Sequence, residues 1–200
     1  MRDAVDREGY RESDGSQWRT WPFDGTLTPR ELDPPAEAEE PRHGAGGVDC
    51  AQCEASRVDD GSYVFWRDGL MTLGRPVEGT SLPFAAFLMS RRHTDLRDLT
   101  EAEAARSGVL LSAIERAACY VLDVPRIQAA RWGDGSEHLH WWLSARPTGA
   151  LQLRGTFMSH WEELLPLRDA AVVNADLDLI ASRLVALVGG VAFPTRPGRE

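Results

Sequence analysis

Apolar positions along the chain recur in two rhythms. Between residues 62 and 90 they come in short runs bounded by turn residues. SYVFW (62–66) and LMTL (70–73), on either side of Arg67-Asp68-Gly69, predict a hairpin, and FAAFLMS (84–90) predicts a central strand. From Leu99 the period changes. In LTEAEAARSGVLLSAIERAACYVLD, Leu110, Ile114, Ala117 and Val121 repeat at helical spacing, and Thr100 followed by Glu103 is a capping-box pattern. A long helix is predicted there. RIQAARW (126–132) and HLHWWLSA (138–145) predict two more strands joined by a tight Gly-Asp-Gly turn, and MSHWEELL (158–165) a short helix. NADLDLIASRLVALVGG predicts a further helix, with Asn174 as its cap, acidic residues in its first turn and Gly189-Gly190 as its stop. Strands on both sides of one long helix indicate an α+β fold with a mainly antiparallel sheet, a long helix after the central strand and additional C-terminal helices.

Residues 1–47 break the pattern. They are polar and rich in charge, Pro and Gly, as in ELDPPAEAEEPRHGAGG, and such a segment buries too little surface to offset its ordering entropy. A flexible polar arm is expected over 1–47, a folded domain over 48–190 and a tail over 191–200. The aromatic stretch WRTWPF, with Trp18, Trp21 and Phe23, stands out in the arm as a clip for the domain or a partner.

Composition narrows the function classes. With 22 basic against 31 acidic residues the net charge is −9, which argues against DNA binding but leaves room for a small anion held by local arginines. The N-terminus lacks the apolar core of a signal peptide, and no run approaches a membrane span, so a cytoplasmic protein is expected. Three cysteines make no disulfide framework. Cys119 lies in the apolar helical stretch and reads as a core residue. Cys50 and Cys53 form C-x-x-C with zinc-knuckle spacing, and His93 and His138 are the other soft-ligand candidates for a Cys2His2 set. Spacing alone leaves a second reading open, two unbonded thiols in a surface turn. A redox C-x-x-C would open a helix in a βαβ unit, which Gly-Gly-Val-Asp before Cys50 does not offer.

In GDGSEHLHWWLSARP, His138 and His140 alternate along a strand and share one face, with Trp142 next on that face. The order C-x-x-C, a strand ending SRRHTDLRDLT, a long helix, a loop and then HLHWWLSARP resembles the histidine triad (HIT) superfamily over about Cys50 to Pro147, roughly half the chain. That resemblance implies a HIT-like domain that binds a nucleotide or another phosphorylated small molecule, and possible homodimers. By position it implies Zn²⁺ on Cys50, Cys53, His93 and His138, and His140 as a nucleophile that forms a nucleotidyl-histidine intermediate. Hydrolysis or nucleotidyl transfer would follow.

The third triad position departs from the pattern: the resemblance calls for histidine or glutamine, and Trp142 stands there. Tryptophan donates one N–H, accepts nothing and does not titrate, so it steadies a phosphate oxygen or stacks on a base but cannot act as an acid. Arg146 and Arg131 are the expected donors to the phosphoryl oxygens. A second register makes Ser136 the replaced first histidine, His138 the nucleophile and His140 the third member. The rival functional reading is a catalytically inactive, zinc-stabilised binding or scaffold module, in which His140 is a strand histidine and Trp141 and Trp142 are only packing.

Overall fold

The computed structural model describes residues 20–23, 33–57 and 61–196. Trp18 and much of the expected arm lie outside the described residues. The elements in chain order are α1 (Ala51–Ala55), β1 (Val64–Arg67), β2 (Met71–Gly74), β3 (Phe84–Ser90), α2 (Glu101–Val121), β4 (Gln128–Ala130), β5 (His140–Ala145), α3 (Met158–Leu164), α4 (Ala170–Val188) and β6 (Val191–Ala192). The six strands form one antiparallel sheet in the order β4-β5-β3-β2-β1-β6.

Strand alternation divides the sheet into two faces. Met71 and Leu73 of β2, Phe84, Ala86 and Leu88 of β3, and Leu143 and Ala145 of β5 pack with Leu110, Ile114 and Ala117 of α2 and Leu177, Ile180 and Leu184 of α4. Cys119 packs partly buried against this core, where burial pushes its thiol up. The alternate residues of β3 and β5 point to the opposite face. There Met89 pairs with His140 and Phe87 with Trp142. Among the described residues no helix is long and apolar enough to cross a membrane.

The α2 start forms as its sequence predicts. Thr100 Oγ1 accepts the Glu103 amide at 3.3 Å, and the Glu103 carboxylate accepts the Thr100 amide at 2.8 Å. The same carboxylate takes two bonds from the Arg92 guanidinium, at 3.2 and 2.9 Å, which ties the end of β3 to α2 just before His93.

Four boundaries differ from the expectation. α4 begins at Ala170, not after Asn174: the Asp169 carboxylate accepts the Ala171 and Val172 amides at 2.8 and 3.1 Å and so satisfies two otherwise unpaired donors. Asn174 sits inside the helix with its side-chain oxygen on Arg75. The connection before β5 is longer than a tight turn, because β4 ends at Ala130 and β5 starts at His140. The expected tail supplies a strand: Val191 and Ala192 pair with Arg67 and Trp66. Gly190, at φ 91°, permits this approach, since a Cβ there would lie 2.5 Å from the Trp66 ring. Finally, residues 42–47 are woven into the domain. His43 bridges Ser136 in parallel, donating its amide to Gly135 O and accepting from the Glu137 amide, both at 3.0 Å. The Trp21 ring meets Phe157 edge-on at 5.0 Å, as a clip onto the domain would.

Candidate functional site

Cys50 is the N-cap of the short helix α1, so Cys50 and Cys53 stand one turn apart on the same side. His93 follows β3, and His138 precedes β5 on the neighbouring strand. Sheet pairing thus brings two distant histidines to the C-x-x-C motif, which opens α1 where the sequence suggested no helix. The ligand atoms of all four residues lie within 4.8 Å of one another. His138 Nδ1 is 3.4 Å from both sulfurs, and His93 Nδ1 is 3.5 Å from Cys53 Sγ.

These distances fit a shared ion. With metal–sulfur bonds of about 2.3 Å and metal–nitrogen bonds of about 2.0–2.1 Å, a tetrahedral centre has S···N edges of about 3.5 Å. The orientation fits as well. His138 Nε2 is 2.8 Å from Ser90 O, a group that only accepts, so Nε2 carries the proton and the Nδ1 lone pair faces the sulfurs. Burial pushes the fully buried His138 imidazole below its ordinary value, which keeps it neutral as a ligand must be. Burial, followed by the adjacent Cys50 thiol, pushes the Cys53 thiol up. Two thiols packed this closely become thiolates only with a cation between them.

His140 opens β5 on the sheet face away from the helices. Its Nδ1 is 2.8 Å from His138 O, a carbonyl that only accepts, which favours the tautomer with the proton on Nδ1. Trp142 follows on the same face, 42% exposed, with its ring centroid 6.1 Å from that of His140. Phe87 and the 54%-exposed Trp132 meet it edge-to-face at 4.7 and 5.7 Å. The result is an aromatic surface beside a histidine. Trp132 went unrecognised in the sequence, because it belongs to a different strand-like run.

The expected arginines divide. Arg146 follows the far end of β5, six residues from His140 or about 20 Å of extended chain, and its guanidinium bonds Pro147 O. It is not a donor at the His140 end, which corrects the expectation. The strand that carries both residues is what separates them. Arg131 does lie at that end: it pairs with Asp95, which also takes Arg42 at 2.7 Å. Gly133 leaves room for this, since a Cβ there would collide with the Arg131 guanidinium. Burial pushes the Asp95 carboxyl up, but Arg42, the Leu96 amide and Arg131 outweigh it and hold it below its ordinary value. Arg42 also lies 3.9 Å from the Glu137 carboxylate, so the two guanidiniums are matched by two carboxylates.

Arg42, Asp95 and Glu137 were not legible as site residues. Glu137 accepts the Gly46 amide at 3.0 Å and lies 3.6 Å from His93 Nε2, with the Gly46 amide first and His93 next holding it below its ordinary value. An arginine or glycine in a polar segment carries no local signal of such a role. Ser136 is buried, with its hydroxyl on Gln52 Oε1 at 3.2 Å.

No family model matches the sequence, and no curated protein matches it. Solved structures do match the fold. A zinc-bound histidine triad family protein from Mycobacterium smegmatis superposes with a TM-score of 0.52 at 19% identity, covering 70% of this chain and 96% of that one. A hypothetical histidine triad nucleotide-binding protein from Sulfolobus tokodaii gives 0.52 at 12% identity, covering 70% and 97%. A uridylyltransferase gives 0.52 at 16% identity, covering 72% of this chain and 48% of its own. At these identities the likeness establishes the fold: this chain has the α+β architecture of the histidine triad proteins.

Proposed function

We propose that the chain is a zinc-stabilised, nucleotide-binding protein of the histidine triad kind, which hydrolyses or transfers a nucleotidyl group through His140. The observation that carries this reading is the orientation of that imidazole. Its Nδ1 lies 2.8 Å from the His138 carbonyl, which only accepts, so in the neutral ring the lone pair falls to Nε2. A nucleophilic histidine needs that arrangement. Attack by Nε2 on the α-phosphorus forms a P–N bond as the bond to the leaving group breaks, and water or an acceptor then takes the nucleotidyl group from the histidine.

The same geometry supports the first register. His138 turns its lone pair to Cys50 and Cys53 at 3.4 Å, which leaves His140 as the free imidazole. Zinc in a closed Cys2His2 set supplies folding free energy and rigidity rather than an open coordination position. His138 is thereby fixed two residues from the nucleophile. With five N–H donors each, Arg42 and Arg131 can donate to a phosphate oxygen as well as to Asp95 at this end of the sheet. Trp142 and Trp132 offer ring surface to a base or to an aromatic leaving group. Because Trp142 cannot give a proton, the suitable substrates are those whose leaving group departs as a stable anion.

Intact-mass spectrometry after incubation with nucleotide and phosphoramidate panels tests the proposal. A nucleotidyl adduct is expected on wild type and not on His140→Ala, with the metal content of the variant unchanged. Trp142→His restores a titratable group and should speed poor leaving groups more than good ones. An unlabelled wild type, together with His140→Ala that binds ligands as well as wild type, would sink the enzymatic reading in favour of the binding module.

A further inference from the structure

A cavity of about 460 Å³ lies between the loop after β2 and the first turns of α4. It is remote from His140. Ala85, on its wall, pairs with Ser144, four residues along β5 from His140 or about 13 Å of strand. Its volume is within the range of small-molecule sites, and its walls are mainly apolar: Val77, Ala85, Leu167, Val173 and Leu177.

Two guanidiniums line it. Arg168 is paired with Asp176 at 3.2 Å. Arg75 is different: it is only 8% exposed, yet among the described residues it meets no carboxylate. Its Nε donates to Ser62 O at 2.9 Å, one terminal nitrogen to Asn174 Oδ1 at 3.1 Å and the other to Arg196 O. All three acceptors are uncharged, and a guanidinium has five N–H donors, so donors remain for another oxygen. Burial accordingly pushes the Arg75 guanidinium down. Among the described residues this guanidinium has no counter-ion, and a charge withdrawn from water favours one. Glu78 also lines the cavity, and the Asp169 carboxylate is committed to the α4 amides.

We infer that this cavity is a second ligand site, which takes a small organic anion: an oxyanion head on Arg75 and Arg168 and an apolar body against Val77, Leu167, Val173 and Leu177. Neither the metal cluster nor the chemistry at His140 is needed for it. A carboxylate matches the head group because two oxygens can accept from a guanidinium fork.

The test is isothermal titration calorimetry of the full chain with sodium octanoate, and with octanol as its uncharged counterpart. Octanoate should saturate at one per chain, and octanol should bind at least about tenfold more weakly, the scale of one charge-assisted hydrogen bond. Arg75→Gln should weaken octanoate by about tenfold or more. Since Arg75 also ties the C-terminal segment to α4, a second variant guards against misfolding. Ala171 is exposed on the cavity wall, and Ala171→Trp should block the mouth and abolish binding with the fold intact. Failure of octanoate to saturate, equal binding of octanol, or octanoate binding to Ala171→Trp as to wild type would each overturn the proposal.

Discussion

Residues 42–47 strap the loop that carries Glu137 and His138, and their removal should loosen the Cys50–Cys53–His93–His138 cluster although none of them belongs to it. The informative comparison is between truncation before Arg42 and truncation through Gly47. Only the second removes the His43 amide bond to Gly135 O and the Glu137 amide bond to His43 O, each 3.0 Å long. It also removes the Arg42–Asp95 pair at 2.7 Å, while Arg131 stays to hold Asp95. Two partly solvated backbone bonds contribute roughly 1 kcal/mol each, and the ion pair about 1 kcal/mol or less because Arg131 remains. The longer truncation should therefore lose about 2–3 kcal/mol relative to the shorter, a fall of roughly 4–12 °C in Tm for a chain of this size. Zinc affinity, measured by competition with a chelator, should fall with it, because the Gly46 amide that holds the Glu137 carboxylate beside His93 is lost too. Urea unfolding and chelator competition on both truncations check this. If the two unfold within about 0.5 kcal/mol of each other and bind zinc equally, the strap contributes nothing and the reasoning is wrong.

Two further outcomes follow from the same structure. Cys53→Ser removes one of the four candidate ligands, so metal analysis should show well under one zinc per chain and the melting temperature should drop; full occupancy with unchanged melting would refute the shared site. The Glu103 carboxyl is held down to about 2, first by Arg92 and then by the Thr100 amide and hydroxyl. Its folded value lies below the unfolded one, so it adds stability above about pH 4.5 that is lost as pH falls towards 2. With half-exposed Arg92 screened by solvent, that amounts to on the order of 1 kcal/mol at neutral pH. Glu103→Gln should thus be less stable than wild type at pH 7, and the gap in chemical denaturation should close on acidification; a gap independent of pH would count against the assignment.

What the sequence determined by itself was whatever is written within one element. The helical stripe and the Thr100–Glu103 capping box are local patterns, and both stand in α2. Alternation along HLHWWLSA places His140 and Trp142 on one face because a strand's period is two, whatever packs around it. Four soft ligands in a resembling order were enough to nominate the metal cluster, whose members the fold brings within 4.8 Å. Tertiary structure decided everything that depends on separation between elements. Arg146 is close to His140 in sequence but lies about 20 Å along an extended strand, whereas Arg42, 98 residues before it in number, reaches Asp95 across the fold. The α4 start lies at Asp169, whose carboxylate takes two helix amides, while Asn174, an equally good cap by residue type, lies inside the helix with its side chain on Arg75. The polar segment before Cys50 has too little apolar surface to order itself, and it becomes ordered at His43 because the loop before β5 offers a backbone edge to pair with. Local preference fixes which way a residue faces along its own element. Which residues then meet is settled only when the sheet brings the ends of its strands together.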